Sequence, residues 1–307
     1  MTPVLKAPFP WFGGKSRCAE IVWRAFGHVP NYVEPFFGSG AVLLGRPHEA
    51  KIETVNDLDC HVANAWRAIA AAPDDVARWC DHPVNEADLH ARHAWLVGRD
   101  EHRERMHTDP DYFDAKIAGW WIWGLCQWIG QGWCSPARVR SRQLPVSGRG
   151  SHSLEAGPLV DWFRALQSRL RRVRVACGDW SRIVTGSITG LSNTSENMGM
   201  LPCGVFLDPP YEGYGNVYAE GNEVGRAVRE WAIENGNSQK LRIALCGYEG
   251  EHAMPESWTV HAWKAQGGYG NRNGEEANEN ARRERIWFSP HCLPLVDKQI
   301  GLFEATV

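Results

Sequence analysis

The sequence predicts an α/β protein whose parallel sheet is interrupted by a helical insertion. Short apolar segments alternate with amphipathic helices at both ends of the chain. Between about residue 60 and about residue 170, helical patterns dominate and no segment is typical of a strand. Acids and aromatic residues directly follow several predicted strands. Because ligands of open α/β sheets bind at the carboxyl ends of strands, these residues are candidates for one site.

Composition and charge are those of an ordinary globular protein with a substantial core. The 307 residues are 43% hydrophobic and 22% charged, and the net charge of −3 argues against a uniformly basic nucleic-acid binder. Residues 135–175 nevertheless carry nine arginines and only two acids, a local excess of seven positive charges. Charge alone leaves two interpretations of this segment, a phosphate-contacting face or a solvated surface.

The cysteine spacing and the lengths of the apolar runs predict the cellular compartment and whether the chain binds a structural metal. The nine cysteines form no C-x-x-C pair, so we expect reduced core thiols and neither a zinc site nor a disulfide framework. The start of the chain has no signal-type apolar region, and the run Ile117–Gly130 is too short for a bilayer. We therefore expect a cytoplasmic protein without a membrane partner.

The N-terminal third contains two glycine turns. Trp11-Phe12-Gly13-Gly14-Lys15 precedes a predicted helix over Arg17–Phe26, and its glycines let the backbone approach a ligand such as a carboxylate. In Tyr32–Leu44 a strand ends at Glu34, Gly38-Ser39-Gly40 forms a turn, and a helix follows. This strand–turn–helix lacks the third glycine of a pyrophosphate-binding turn, which fits a cofactor without phosphates.

Two further predicted strands end in acids. Ile52–Asp57 places Asp57 seventeen residues after Gly40, close to the spacing of an acid that binds a ribose diol; Asp57 could equally cap the next helix. Arg172–Trp180 reads as a strand that ends in Gly-Asp-Trp. Asp179 and Trp180 could bind and stack a cofactor purine, or Asp179 could cap a short helix over Trp180–Val184.

The remaining elements follow from periodicity and turn signals. The sequence predicts helices over Ala63–Ala72, Asp74–Cys80, Glu86–Val97, Tyr112–Ile129, Leu159–Leu170 and Glu223–Asn235. It predicts strands over Leu241–Gly247, Thr259–Trp263 and Arg282–Ser289. Five tryptophans between Trp120 and Trp133 predict a buried helix with one aromatic face, and Gln131–Pro158 is expected to be a long, exposed, basic loop.

The segment Val205–Tyr211 carries the most specific chemistry. An apolar strand ends in a carboxylate, two prolines and a tyrosine. Both prolines fix φ and restrict the preceding residue, so the Asp208 carboxylate, the Pro209 carbonyl and the Tyr211 ring are held relative to one another. Two acceptors beside an aromatic face suit an exocyclic amine on a planar base. The alternative is a Pro-Pro turn with a solvated aspartate.

These segments resemble the Dam-like, adenine-specific DNA methyltransferases that use S-adenosylmethionine. Trp11–Lys15 resembles the family's W-x-G-G-K, and Val33–Leu44 resembles V-E-P-F-x-G-x-G-x-V. Asp208–Tyr211 is the D-P-P-Y motif, and Asn280–Glu284 resembles a late segment of Asn, Arg and Glu. The resemblance implies a Rossmann-like methyltransferase sheet, mostly parallel with one antiparallel strand. It implies a catalytic domain of residues 1–60 and 171–307 and a target-recognition insertion of residues 61–170.

The resemblance also implies a reaction: methyl transfer from S-adenosylmethionine to N6 of a flipped-out adenine in double-stranded DNA, without a metal, by a protein we expect to be a monomer. The implied catalytic residues are Asp208, Pro209, Pro210 and Tyr211. The expected cofactor contacts are Trp11, Gly13, Gly14, Lys15, Glu34, Phe36, Gly38, Gly40, Asp57, Asp179, Trp180 and Asp208. The expected DNA contacts, mainly to phosphate, are Arg138, Arg140, Arg142 and Arg149.

Three rival interpretations remain at the level of sequence. The substrate could be another planar amine: cytosine N4, adenine in RNA or a protein glutamine. The chain could be a catalytically dead DNA-binding relative, although the intact Asp208–Tyr211 and glycine segments argue against this. A dinucleotide oxidoreductase is disfavoured by the missing third glycine and by the Asp-Pro-Pro-Tyr segment.

Overall fold

The computed structural model describes residues 5–11, 15–49, 51–109, 111–130, 132–136, 144–146, 148–153, 157–192, 202–211, 221–263 and 283–295. The strands in this part are β1 (Asn31–Glu34), β2 (Ile52–Asp57), β3 (Val173–Cys177), β4 (Cys203–Leu207), β5 (Leu241–Tyr248), β6 (Thr259–Ala262) and β7 (Glu284–Phe288). The helices are α1 (Cys18–Phe26), α2 (Ala41–Leu44), α3 (Cys60–Ala71), α4 (Pro73–Cys80), α5 (Glu86–Val97), α6 (Asp100–Thr108), α7 (Ala115–Gln127), α8 (Leu159–Leu170), α9 (Gly186–Thr189) and α10 (Gly221–Asn235).

The strands form one sheet in the order β3-β2-β1-β4-β5-β7-β6. Strands β1 to β5 pair in parallel, whereas β7 runs antiparallel to both of its neighbours, β5 and β6. This confirms the predicted fold class, a mostly parallel α/β sheet with one antiparallel strand. Because β7 runs against β5, its first residue, Glu284, lies opposite Tyr248 at the carboxyl end of β5.

The central strand β4 is buried along its whole length, which places the middle of the sheet in the interior of the protein. All five of its residues are buried, as expected of a strand covered on both faces. Phe206 packs into one hydrophobic cluster with Tyr32 and Trp66, whereas Val205 and Leu207 pack into a second cluster. Successive side chains of β4 point to opposite faces of the sheet, so this strand contributes to the hydrophobic core on each face.

The predicted insertion is the connection between two neighbouring parallel strands, β2 and β3. Among the described residues between Asp57 and Val173 there are helices and no strand, as predicted. Helix α3 packs against both strands, α8 packs against α3 and α4, and α7 packs against α3, α4 and α5. Trp66 and Trp121 share one core with Tyr32 of the sheet. The division into catalytic and target-recognition regions stays a prediction.

Local signals explain where the helices begin and end. Strand β2 and helices α5 and α8 have the predicted bounds. Helix α3 begins at Cys60, earlier than predicted, because the Asp59 carboxylate accepts a hydrogen bond from the His61 N–H at 2.8 Å. The sequence did not predict helix α6, because its residues are charged or polar apart from Met106. Within it, only His102 and Met106 are buried.

Two predictions about the tryptophan-rich region were wrong. Helix α7 ends at Gln127, where Trp128 adopts an extended conformation, so Trp128 and Trp133 follow the helix. Packing of α3, α4 and α5 around α7 buries it on several sides, so it has no single aromatic face.

The segment 131–158 is not simply an exposed loop. In its described part, Cys134 and Ser151 are buried, and residues Gly150–His152 form a 3₁₀ turn. The Ser151 N–H donates to the Pro8 carbonyl at 2.7 Å, and the Ser151 hydroxyl lies 3.2 Å from the Cys80 sulfur. Thiols and hydroxyls that satisfy one another allow this polar segment to pack inside.

Candidate active site

The candidate site lies where the order of the strands changes direction, between β1 and β4. From β1 the sheet continues outward through β2 and β3, and from β4 it continues through β5. Such a switch point leaves a crevice beyond the carboxyl ends of the strands, where ligands of open α/β sheets bind. Glu34, Asp57, Gly178 and Asp208 end or directly follow β1, β2, β3 and β4.

Asp208 belongs to a hydrogen-bonded cluster with Lys15, Tyr211 and Glu284. The Lys15 ammonium lies 3.1 Å from Asp208 Oδ1 and 3.5 Å from Glu284 Oε2, and it donates to the Tyr211 hydroxyl at 2.6 Å. That hydroxyl lies 2.9 Å from Asp208 Oδ1 and 3.0 Å from Glu284 Oε2. The side chains of Lys15 and Glu284 are 8% and 5% exposed, and that of Asp208 is 18% exposed. Asp208 is therefore the more accessible of the two acceptors.

The pKa shifts of the cluster determine which of its groups carry a hydrogen to donate. Burial lowers the pKa of Lys15, but the Asp208 and Glu284 carboxylates outweigh it, so the net shift is upward. Burial, followed by the charge of Asp208, raises the pKa of Tyr211 well above its usual value. Burial also raises the pKa of Glu284, against the opposing effect of Lys15. Lys15 therefore remains cationic and Tyr211 remains a neutral hydroxyl with one hydrogen to donate.

Aromatic rings surround the same cluster. The Lys15 ammonium lies 4.8 Å from the Tyr211 ring centroid and 5.3 Å from that of Trp263. The Tyr211 ring meets the Tyr248 ring edge-on, with centroids 4.7 Å apart. Pro209 is buried and Pro210 is partly buried in the turn that carries Tyr211. Lys15, predicted as a cofactor contact, is thus placed against the residues predicted to be catalytic.

The second glycine turn follows β1. Gly38 and Gly40 have φ values of +48° and +64°, which side-chain-bearing residues rarely adopt. A Cβ atom on Gly38 would lie 2.3 Å from the Trp11 ring. The Gly38 N–H donates to Asp57 Oδ2 at 2.8 Å, and its carbonyl accepts from the Trp66 indole at 2.9 Å. The turn is thereby fixed between Trp11 and the carboxyl end of β2.

Asp57 accepts backbone hydrogen bonds at both oxygens. The second, at Oδ1, comes from the Asp59 N–H at 2.9 Å. Burial and the neighbouring Asp59 raise the pKa of Asp57 to about 7, although these backbone bonds oppose the shift. Each carboxylate oxygen has two lone pairs, so Asp57 can still accept hydrogen bonds from a ligand.

The ends of β1 and β3 are joined by Asn56, which sequence reasoning did not identify. Its side-chain amide donates to the Pro35 carbonyl at 3.1 Å and to the Gly178 carbonyl at 2.9 Å. Its own oxygen is buried and has no hydrogen-bond partner within the described part of the chain. Only a known strand order could have revealed this residue, because its two partners lie 21 and 122 positions away.

The residues after β3 complete this edge. Asp179 caps the 3₁₀ turn Trp180–Ile183 by accepting from the Ser181 N–H at 2.9 Å, so its capping interpretation holds. The Trp180 ring stacks with the Phe36 ring at 6.3 Å between centroids and 26° between planes. Glu34 is buried and accepts from the Tyr32 hydroxyl at 2.8 Å, and burial raises its pKa. The structure thus brings the described cofactor candidates to one edge.

Comparison with protein families decides what kind of site this is. Residues 11–112 match the model of the D12 class N6 adenine-specific DNA methyltransferases. This part of the chain is similar to that family. No curated protein matches it in sequence. None of the helices in the described ranges has the length and apolar character needed to cross a membrane.

The match supports an enzyme that methylates N6 of adenine in DNA, and the matched family implies S-adenosylmethionine as the methyl donor. The match covers about one third of the chain, from Trp11 through the glycine turn and Asp57 to Tyr112. It does not include Asp208–Tyr211. That segment joins the matched part through the contacts of Lys15 with Asp208 and Tyr211.

The residues at the first three strand ends fit the donor that the matched family implies. Gly38 and Gly40 carry no side chains of their own, and the Trp11 ring packs against Gly38. Asp57 can still accept hydrogen bonds from a diol. The partly buried rings of Phe36 and Trp180 follow β1 and β3, the two strands that flank β2, and Asp57 ends β2. Gly13 and Gly14 lie outside the described residues.

The predicted DNA contacts are only partly within the structure of the methyltransferase. Arg138, Arg140 and Arg142 lie outside the described residues, and Arg149 is partly buried beside the 3₁₀ turn Gly150–His152. Part of the positive excess in residues 135–175 is paired with acidic residues of the same chain. Arg169 binds Glu53 at 2.6 Å, and Arg164 binds Asp74 at 2.7 Å. These two arginines are therefore not available as a simple phosphate-contacting face.

Proposed function

We propose that this enzyme methylates adenine N6 in double-stranded DNA with Asp208 as the acceptor for the amino group. The observation that carries the proposal is the adjacency of β1 and β4. The Gly38–Gly40 turn follows β1, and Asp208 follows β4. Neighbouring strands lie only about 4.8 Å apart. A donor bound at the turn and an amine held at Asp208 would therefore meet in one crevice.

Methyl transfer requires a hydrogen-bond acceptor that makes the adenine N6 nitrogen more nucleophilic. The lone pair of this nitrogen is delocalised into the purine ring and is a poor nucleophile. Hydrogen bonds from N6 to the Asp208 carboxylate and the Pro209 carbonyl would favour a pyramidal nitrogen and localise its lone pair. Holding this nitrogen beside the methyl donor supplies the rest through proximity.

Lys15 and Glu284 support this role for Asp208. The Tyr211 hydroxyl has one hydrogen and two carboxylate acceptors at nearly equal distances. When that hydrogen goes to Glu284, the lone pairs of Asp208 stay available to the substrate. The buried Lys15 ammonium lies 3.1 Å from Asp208 Oδ1 and holds this side chain in place through an ion pair. We therefore infer that Lys15 and Glu284 are positioning residues for Asp208 and Tyr211.

The target base has to leave the helical stack. N6 is inaccessible to a bulky donor within a duplex, and flipping costs a few kcal/mol of stacking and pairing. The Tyr211 ring would offset part of this cost by stacking on the flipped adenine. Its hydroxyl contacts to Lys15 and Glu284 fix the ring before the base arrives.

Cofactor roles follow from the positions of the remaining candidates. S-adenosylmethionine supplies an electrophilic methyl group when bound. We infer that Asp57 holds its ribose diol, and that Asp179 and Trp180 contact its purine. Trp11 and Phe36 are the candidate rings near its sulfonium, where an aromatic face stabilises positive charge. Lys15 and the backbone of Gly13 and Gly14 stay our prediction for its methionine carboxylate.

Duplex binding is assigned to the arginine-rich segment of the insertion. Arg138, Arg140, Arg142 and Arg149 would contact phosphates and set the register of the protein on DNA without reading the sequence. We expect the enzyme to act as a monomer in the cytoplasm.

Methyl transfer from tritiated S-adenosylmethionine tests the proposal. We expect label in adenine of double-stranded DNA with the wild-type chain, and no transfer with Asp208→Ala despite retained cofactor binding. Asp161→Ala, an exposed aspartate in α8, is the matched control and should remain active. Label found only in cytosine, RNA or protein would overturn the proposal. So would a wild-type chain as inactive as Asp208→Ala, which would indicate a dead relative.

A further inference from the structure

Three side chains with metal-ligating atoms meet outside the active site. Cys60 is the first residue of α3, His107 lies in the last turn of α6, and Cys177 ends β3. Their sulfur and nitrogen atoms all lie within 4.8 Å of one another. The two sulfurs are 3.7 Å apart, and the Cys60 sulfur is 3.4 Å from His107 Nε2.

We propose that Cys60, His107 and Cys177 form a zinc-binding site. A tetrahedral zinc ion with Zn–S bonds of about 2.3 Å and Zn–N bonds of about 2.0 Å separates two sulfurs by about 3.8 Å and a sulfur from a nitrogen by about 3.6 Å. The two measured edges are within about 0.2 Å of these values. The ion would need little rearrangement of these two ligand pairs.

The surroundings favour a soft transition metal. Cys60 and Cys177 are 8% and 7% exposed and pack in a small cluster with Ala63 and Met106. Thiolate and imidazole ligands select zinc over magnesium or calcium, and two thiolates neutralise the charge of the ion. His107 is exposed, so solvent can reach this side of the site. A water molecule would supply the fourth ligand, because three protein ligands leave one tetrahedral position open.

A disulfide is a poorer description of this pair. A bonded pair of sulfurs is about 2.05 Å apart, and the observed separation is far longer. The sequence spacing did not predict a metal site, because Cys60 and Cys177 are separated by 117 positions and His107 belongs to the helix that lacked an apolar pattern. The packing of α3 against both α6 and β3 brings them together.

The position of the site indicates a structural role for the bound ion. Cys60 lies three residues after Asp57, and Cys177 directly precedes Gly178, whose N–H donates to the Asp57 carbonyl at 3.1 Å. His107 belongs to the helical insertion. A bound ion would therefore fasten the insertion to the edge of the sheet that carries Asp57. Metal binding to the folded state alone also raises its stability.

Cobalt titration of the full chain tests the site without reference to activity. After chelation and removal of the chelator, Co²⁺ should produce a thiolate-to-cobalt charge-transfer band and intense visible bands of tetrahedral cobalt, saturating at one equivalent. Added Zn²⁺ should abolish these bands by displacement. We also expect about one zinc per chain by elemental analysis of protein purified from zinc-supplemented cells.

Variants separate this site from adventitious binding. Cys60→Ser, Cys177→Ser and His107→Ala should each lose the cobalt bands, whereas Cys292→Ser should keep them because this thiol contacts Ser289 elsewhere. Zn²⁺ should raise the Tm of the wild type and leave that of His107→Ala unchanged; this exposed substitution should not impair folding. Absent bands in the wild type, unchanged bands in His107→Ala, or a Cys60–Cys177 disulfide in a non-reducing peptide map would each overturn the proposal.

Discussion

The Tyr211 hydroxyl lies 3.0 Å from Glu284 Oε2, although the two residues are 73 positions apart. Tyr211 follows β4 and Glu284 begins β7, and β5 lies between these strands. The contact exists because β7 runs antiparallel and starts at the edge where the parallel strands end. A residue from near the end of the chain therefore shares one hydroxyl with the acidic residue of the D-P-P-Y motif.

Glu284→Leu should lower kcat about tenfold to a hundredfold, because Tyr211 and Lys15 would then both turn toward Asp208. A hydrogen bond to a charged group contributes about 1.5–3 kcal/mol, which corresponds to this range. S-adenosylmethionine affinity should change less than about twofold. Steady-state kinetics and equilibrium binding measure the two quantities.

Glu284→Gln retains an acceptor for Tyr211 and should recover part of the lost kcat. Glu249→Gln is the matched control, because Glu249 is exposed and its partner Arg285 lies outside the cluster. An unchanged kcat in Glu284→Leu would show that Asp208 needs no second carboxylate.

Cofactor affinity should increase with pH as Asp57 loses its proton. The pKa of Asp57 is raised to about 7, so the carboxyl is mainly neutral at pH 6 and mainly charged at pH 8. If the charged form binds the ribose diol, affinity should be about tenfold weaker at pH 6 than at pH 8. Calorimetric titration with S-adenosylhomocysteine measures this dependence. Asp57→Asn should bind weakly with a flat pH profile; a wild-type slope retained in this variant would assign the titration to another group.

Gly38→Ala should destabilise the protein through two separate effects. A φ of +48° costs about 1–2 kcal/mol for an alanine, and the new Cβ would collide with the Trp11 ring. Gly130→Ala is the matched control, because Gly130 has a φ of +88° but no atom of the described residues lies within 4 Å of an added Cβ. Urea unfolding should show a larger loss for Gly38→Ala, and cofactor binding should fall only in that variant. Equal losses would show that Trp11 moves aside freely.

Glu53→Ala should cost about 3–5 kcal/mol of folding free energy. Glu53 is fully buried and binds Arg46 at 3.0 Å and Arg169 at 2.6 Å, so its removal leaves Arg46 buried without its carboxylate partner. Asp74→Ala removes an exposed partner of Arg164 and should cost about 0–1 kcal/mol. Denaturant unfolding compares the two variants. A loss in Glu53→Ala no larger than that in Asp74→Ala would contradict this assignment.

The sequence predicted the elements whose local signals agree with their environment. Strand β2 and helices α5 and α8 have the predicted bounds, since apolar periodicity and end signals coincide there. Helix α6 carries almost no apolar pattern, because only His102 and Met106 among its residues are buried. A polar helix with two buried side chains is not distinguishable from a polar loop by periodicity.

The site was predictable as a set of strand ends but not as a set of contacts. Asp57 and Asp208 follow apolar strands, and parallel strands bring such ends together. The contacts of Lys15 with Asp208 and Glu284, and the bridge from Asn56 to Pro35 and Gly178, depend on strand order. Pairings across 20 to 270 positions are set by topology, which no local pattern in one sequence encodes.

The position of β7 in the sheet has a consequence for synthesis of the chain. Strand β6 leaves the ribosome before β7, yet in the described sheet it hydrogen-bonds only to β7. Residues Thr259–Ala262 therefore gain a hydrogen-bonded neighbour strand only after residues Glu284–Phe288 have been synthesised. The same late strand delivers Glu284 to Tyr211 and Lys15. A nascent chain that stops before Glu284–Phe288 thus lacks both the partner strand of β6 and the Glu284 carboxylate that contacts Tyr211.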